Sequence, residues 1–289
     1  MNKWIMILLI AAGILLQGCS SSTKKASLKK SLKPVNYKYC SSAKEYVTTY
    51  NYLDSQKKSY GLSQEEIKLT ANEVSKGCEG AAGRFIKSFN LMSKVGLGGR
   101  SSLKTAVVLA NSTDQQAEAF REIFLMAYLE KNLNLDMRTS YQLAKGLSVD
   151  YLGNTEISVK DFKSITSFCM KNKFSGLSFV SCAKIASEVI KSSQSFARSI
   201  AQDFIDTFLY IRKGDSLKLN ISESMAMAVE VVSTSPGAGE NFKLAYEFGI
   251  SKEGLNYSAN QAVQFARKIV FTAEESYKER LPASENKSN

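Results

Sequence analysis

The residues with the most enzyme-like spacing are Glu223 and Ser224. They are followed at 233–239 by a stretch of small residues, Ser-Thr-Ser-Pro-Gly-Ala-Gly. A catalytic acid needs a pocket that raises its pKa, and a sequence cannot show one. The chain contains no histidine. That absence excludes Ser-His-Asp and Cys-His nucleophilic sites, His-ligated zinc and histidine general bases.

The Glu223-Ser224 pair and the later Gly-Ala resemble segments of the soluble lytic transglycosylases. In those helical enzymes the glutamate is the general acid that cleaves peptidoglycan, so the resemblance implies that role for Glu223. The Gly-Leu-Met-Gln continuation of the family is absent, and Glu240-Asn-Phe242 stands in its place. Glu223 also shares a repeat position with Glu66, so the architecture accounts for it. We predict a non-enzymatic protein with no catalytic residue, and keep a peptidoglycan-cleaving or peptidoglycan-binding protein as the alternative.

Phosphate, metal and cofactor sites are weakly supported. The segment Gly96-Leu-Gly-Gly99 could cradle a phosphate, but no strand precedes it and the Gly-Lys-Ser/Thr ending is missing. We interpret it as a turn between helices. The cysteines after residue 19 come without histidine or a Cys-x-x-Cys pair, so we predict no metal and no cofactor.

The first residues are typical of a secretory signal. Lys3 precedes an apolar run of 13 residues, 4–16, which is too short to span a bilayer. The run ends at Leu16-Gln17-Gly18-Cys19, which resembles the lipobox of bacterial lipoproteins. The resemblance implies cleavage before Cys19 and acylation of that cysteine, palmitate included. Ser20 after the cysteine implies sorting to the outer membrane.

The positive charge lies beside the predicted anchor. The formal net charge is +11, yet seven lysines and no acid lie between Cys19 and Lys44, and the rest of the chain after them carries 30 bases and 27 acids. Attraction to anionic lipid headgroups and a solvated, self-repelling spacer explain this segment about equally well. We do not expect a nucleic-acid partner.

One register recurs six times. Position 0 is a residue that follows Gly, Asn or Lys and precedes a helix-capping residue. Position +9 is always alanine, position +12 is aliphatic, and aromatic residues prevail at −15 and −11, four apart on one helix face. Each unit therefore predicts an antiparallel helical hairpin. Position 0 is Leu62, Leu97, Leu135, Leu177, Leu219 and Tyr257, and position +9 is Ala71, Ala106, Ala144, Ala186, Ala228 and Ala266.

These hairpins predict an all-α fold, an α-solenoid with repeats of 35–42 residues. It departs from the tetratricopeptide and HEAT signatures. The expected organisation is a signal peptide at 1–18, a Lys/Ser-rich tether at 19–42, the repeat domain at 43–281 and a disordered tail at 282–289. For such a chain we predict a lipid-anchored lipoprotein of the cell envelope that binds or scaffolds a protein partner in the periplasm or at the cell surface.

The cysteines after residue 19 are Cys40, Cys78, Cys169 and Cys182. A secreted chain matures where disulfides persist. Residues placed symmetrically about a hairpin turn lie side by side, and this criterion pairs 40 with 78 and 169 with 182. Buried free thiols are the alternative for all four.

Overall fold

The computed structural model describes residues 42–171, 177–196, 198–213, 217 and 219–280, with side chains up to residue 272. This part of the chain is all-α, with twelve helices and no strand. The helices are α1 Ala43–Tyr60, α2 Gln64–Ser75, α3 Ala81–Lys94, α4 Gly99–Ala110, α5 Asp114–Tyr128, α6 Met137–Gly146, α7 Thr155–Lys171, α8 Phe179–Ser192, α9 Ala201–Lys213, α10 Ile221–Val232, α11 Ala238–Ile250 and α12 Ala259–Arg280.

The helices pair into the six predicted hairpins because each turn has the required residues. Gly61 and Gly96 have positive φ, 62° and 87°, at the ends of the first helices of their hairpins. Asn134 and Asn256 have φ of 48° and 50° but lie in the turns, several residues after α5 ends at Tyr128 and α11 ends at Ile250. Side-chain caps then start the second helices, for example Asp136 and Ser178. The corresponding residues Gly176 and Lys218 lie outside the described part.

Successive hairpins stack into an array. The first helices form one layer, in which α1 packs against α3, α3 against α5, and so on to α11. The second helices form the other layer, and within each hairpin α1 packs on α2, α3 on α4 and so on. This is the predicted solenoid, in which each hairpin contacts its neighbours in sequence. Within the described range, no helix has both the length and the apolarity that a bilayer crossing needs.

The core follows the predicted register. All six position +9 alanines are fully buried, so a small side chain stands wherever the two helices of a hairpin meet. Stacked aromatic pairs four residues apart, such as Phe120 with Phe124, fill the space on the first helices. Two apolar clusters result: one covers the first two hairpins and the other runs from Met92 to Val270.

The two ends of the array depart from the register. Val47, at position −15, is 52% exposed, whereas its five counterparts are buried. Tyr257, at position 0, and Ile269, at position +12, are also exposed, although their positions predict buried side chains. The reason is that these positions are covered by a neighbouring hairpin, and a terminal hairpin has one neighbour instead of two.

Carboxylates join three of the hairpins to their predecessors, and two of them, Glu45 and Asp161, are buried. Glu45 of α1 accepts from the backbone N–H groups of Gly80, at 3.2 Å, and Ala82, at 2.6 Å, at the start of α3. Asp161 of α7 accepts in the same way from Ile200, at 3.1 Å, ahead of α9. Asp203 of α9 accepts from Gly237 at 3.2 Å, ahead of α11. A carboxylate at a helix N-terminus satisfies N–H groups that lack partners inside that helix.

Candidate functional site

Two of the predicted site residues, Cys19 and Cys40, lie outside the described residues. The lipidation of Cys19 and the pairing of Cys40 with Cys78 therefore stay predictions. Cys78 is disulfide-bonded. It lies just before α3 in a positive-φ conformation (φ 61°) that a non-glycine residue adopts uncommonly.

The second predicted disulfide is absent. Cys169 of α7 and Cys182 of α8 are free, buried thiols. The hairpin does bring them together: a hydrogen bond between the two thiols and their burial raise the pKa of Cys169, while that hydrogen bond lowers the pKa of Cys182. The pairing of 169 with 182 was therefore wrong as a bond. A disulfide needs a specific torsion as well as proximity, and both residues are fixed within helices.

Glu223 has a structural role at the start of α10. Its carboxylate accepts from the backbone N–H of Asn220 at 2.9 Å, and Asn220 Oδ1 accepts from the N–H of Glu223 at 2.9 Å. This is a capping box, which Ser63 and Glu66 form at the start of α2 as well. Glu223 is also exposed, whereas a general acid of the lytic type works in an apolar enclosure.

The glycine-rich segment is a turn, as predicted. Gly96 has a φ of 87°, and the N–H of Leu97 donates to the carbonyl of Met92 at 3.0 Å, which closes the end of α3. Gly98 then precedes α4. Gly96 serves the hairpin geometry, since glycine takes the left-handed conformation without strain.

A depression of about 450 Å³ lies between the fourth and fifth hairpin turns, lined by Leu177, Arg212, Asn220, Ile221 and Ser222. Arg212 Nη1 donates to the carbonyl of Leu219 at 2.7 Å. The capping box of Asn220 occupies the nearby start of α10. Among the described residues, no group of three or more Cys, Asp or Glu side chains could hold a metal ion.

The outer surface of the second helices is the most regular candidate for binding a partner. We define the second-helix face as positions +3 and +7 of the six hairpins, which are all exposed. Four of the twelve side chains are basic and one is acidic, and the bases lie in the second to fourth hairpins. The residues are Glu65, Leu69, Arg100, Lys104, Arg138, Gln142, Val180, Lys184, Ser222, Ala226, Asn260 and Gln264.

An ion pair joins two neighbouring helices of this face. Arg100 Nε pairs with Glu66 Oε1 at 2.8 Å, which links the second helices of the first two hairpins. The buried alanines beneath the face hold each second helix close to its partner. Side chains that recur once per hairpin on a solenoid form an extended recognition surface. The same repeat register would have revealed this face in the sequence.

The buried polar contacts between hairpins were not visible in the sequence. Arg84 of α3 is buried and donates to the carbonyls of Ala110, Gly77 and Glu79 and to Asp114 Oδ1, at 2.9–3.3 Å. Burial raises the pKa of Asp161, against its hydrogen bonds from Ser199 and Ile200.

Tyr151 is a further buried polar side chain beside this junction. Burial, with the charge of Asp161 nearby, raises the pKa of Tyr151 to about 12. Its hydroxyl donates to the carbonyl of Ile190 at 3.3 Å. Arg84, Asp161 and Tyr151 therefore serve the packing of the array.

Comparison with known proteins adds no relative: no family model, no curated protein and no solved structure matches the chain.

Proposed function

We propose that this protein is a lipid-anchored scaffold of the bacterial cell envelope that binds a protein partner along its second-helix face. The observation that carries the proposal is the regular row of exposed side chains on that face, with four bases and one acid. A partner with a complementary acidic surface fits this charge distribution, because complementary potentials steer encounter and fix the register of a complex.

The anchor in this proposal is the acylated Cys19, which the Leu-Gln-Gly-Cys ending of the apolar run supports. Three acyl chains bind a membrane far more strongly than one, since each buried CH₂ contributes about 0.8 kcal/mol. The lysine-rich residues after Cys19 would lie near the headgroups and leave the array free to reach a partner. Ser20 favours the outer membrane.

The anchor is tested with Cys19→Ala in the native cells. We expect the variant to stay unprocessed and to lose its lipid label, because the acylated thiol is gone. A fully processed, membrane-bound variant would contradict the anchor. The matched control is Cys182→Ala, which removes a free cysteine and leaves the lipobox sequence intact.

The binding face is tested by placing a photoreactive residue at Gln142 or Ala226 in intact cells and identifying the crosslinked protein by mass spectrometry. Lys87, exposed on the first-helix layer, is the matched control position. We expect one partner band from the second-helix face that the control lacks. Adding Arg138→Glu should weaken that band, and equal bands from both faces would contradict the proposal.

The alternative, a peptidoglycan-binding or peptidoglycan-cleaving protein, has its own assay. The protein is incubated with purified peptidoglycan, and both sedimentation and released muropeptides are measured. Release of muropeptides that Glu223→Gln abolishes would establish the lytic alternative, and sedimentation without release would favour a cell-wall binder. The capping role of Glu223 leads us to expect no product.

A further inference from the structure

The last hairpin exposes side chains that every earlier hairpin buries. At position +12, the aliphatic residue is at most 2% exposed in the first five hairpins: Val74, Leu109, Leu147, Val189 and Val231. In the last hairpin the same position is Ile269, which is 41% exposed. The difference has a simple cause, since no further hairpin follows α12 among the described residues.

The first helix of the last hairpin shows the same pattern. Position −9 contacts the next hairpin elsewhere in the array: Phe168 meets the ring of Phe208 at 5.7 Å, and Tyr210 meets that of Tyr246 at 6.3 Å. In α11 this position is Phe248, which is 52% exposed. Position −13, one turn earlier on the same helix, is polar in the other five hairpins. In the last hairpin it is Leu244, which is 56% exposed.

We call Leu244, Phe248 and Ile269 the end face. On α11, Leu244 and Phe248 lie on the opposite side from Gly239 and Lys243, which pack against α9. On α12, Ile269 lies away from Arg267, which pairs with Glu230 of α10. The end face therefore continues the hairpin-to-hairpin interface, and no further hairpin covers it among the described residues.

The other end of the array is built differently. The side of α1 that has no preceding hairpin carries Lys44, Thr48 and Asn51, with Val47 as its one apolar residue, and all four are exposed. A polar outer surface is what a terminal repeat needs in order to remain soluble. The array thus has one capped end and one apolar end, which disfavours head-to-tail stacking of copies.

We propose that the end face binds the end face of a second copy, so that two arrays join tail to tail around a two-fold axis. The face continues an interface made by helical hairpins, so a helical hairpin is the shape that fits it. The last hairpin of another copy supplies the apolar surface that the polar first hairpin lacks. Leu244 and Phe248 lie one turn apart. In a two-fold contact, Leu244 of each copy can therefore pack against Phe248 of the other copy.

The size of the end face predicts a weak dimer. The face is about 20 Å long, the length of α11, and two helix diameters of about 10 Å wide, or roughly 400 Å² in projection. Two such faces would bury about 800 Å² in total, which is less than the roughly 1,200–2,000 Å² of stable specific interfaces and falls in the range of weak, transient ones. The largest apolar patch on a typical monomeric protein is also about 300–600 Å² and is often functional. We expect a concentration-dependent dimer in the micromolar range.

The test uses the full chain in a mild detergent, with the mass of its protein component measured by light scattering across concentrations. We expect a dimer that Phe248→Glu weakens at least 30-fold, roughly the effect of losing a central interface anchor. Ile269→Glu is an independent second variant. Leu152→Glu, at a leucine that is 69% exposed and lies away from the end face, is the control and should not change the dimer.

Three results would overturn the proposal: a monomer at all concentrations up to several hundred micromolar, a dimer that both end-face variants leave intact, or growth beyond two copies. The last result, or a loss of association in Val47→Glu, would indicate head-to-tail stacking instead. Far-ultraviolet circular dichroism of each variant separates loss of contact from loss of fold. If Phe248→Glu unfolds, Ile269→Glu decides the outcome.

Discussion

Gly239 and Gly83 are both helical glycines, and the structure predicts opposite effects when each is changed to alanine. Gly239 lies in the first turn of α11, directly against Thr207 of α9. A Cβ at residue 239 would stand well inside the contact distance of Thr207 Oγ1, and 3.4 Å from both Thr207 Cβ and the carbonyl oxygen of Asp203. A Cβ at residue 83 of α3 would meet no heavy atom within 4 Å.

The size of each effect follows from what must move. In Gly239→Ala, either Thr207 rotates and breaks its 2.6 Å hydrogen bond to the carbonyl of Asp203, at a cost of about 0.5–1.5 kcal/mol, or α11 moves away from α9. Overpacking of this kind costs about 1–3 kcal/mol, and the better helix propensity of alanine returns about 0.5–1 kcal/mol. We expect a net loss of about 1–2 kcal/mol for Gly239→Ala and a gain of about 0.4–1 kcal/mol for Gly83→Ala.

Thermal unfolding of the full chain measures both. About 1 kcal/mol corresponds to roughly 2–4 °C in Tm for a domain of this size. The double variant Gly239→Ala/Thr207→Ala is the decisive one, because removing the hydroxyl leaves contacts of 3.4 Å, which are ordinary. The cost of Gly239→Ala should fall by at least about 0.5 kcal/mol in that background. Equal, stabilising shifts for both glycines would refute the close approach of α11 to α9.

Three further predictions concern the array. Ala186→Leu should reduce the free energy of unfolding by about 1–3 kcal/mol, because the residue is fully buried where α7 and α8 meet; a near-neutral result in urea would contradict this packing. Burial raises the pKa of Asp161, so its ionised form costs stability above the folded-state pKa and that cost disappears as the pH falls. The destabilisation by Asp161→Asn should therefore grow between about pH 7 and about pH 4, and a flat dependence in urea titrations would count against it. Non-reducing peptide mapping should join Cys40 to Cys78, whereas a bond from Cys40 to Cys182 would contradict the hairpin arrangement.

The hairpins could be predicted from the sequence because their signals are local. Gly61 ends α1 through a backbone conformation that few other residues adopt, and Asp136 starts α6 with its own side chain. Alanine recurs at position +9 of every hairpin, and this fixed spacing predicted the face on which the two helices meet. Such features depend on residues within one or two turns of each other, so the register was sufficient.

The contacts between hairpins could not be predicted in the same way. The hydrogen bonds of Glu45 to residues 80 and 82 depend on how α1 and α3 are placed, which no local pattern specifies. The hairpin register correctly placed Cys169 and Cys182 side by side. A disulfide also needs a specific torsion, which the spacing of the two residues along the chain does not specify. Ile269 was expected in the core because the register does not say which repeat is the last.

The carboxylates of Glu45, Asp161 and Asp203 also divide the array into folding blocks. The second, fifth and sixth hairpins receive the acceptor for their first helix from the hairpin before them, whereas Thr113 caps α5 itself and Asn154 accepts from the first turn of α7. During synthesis from the N-terminus, each of these carboxylates is therefore made before the helix whose N–H groups it accepts from. Shortening the protein from its C-terminal end leaves these helix starts satisfied, while removing the first hairpin leaves the amides of α3 without Glu45. A cut ahead of Thr113 or Asn154 therefore separates none of these helix starts from its acceptor.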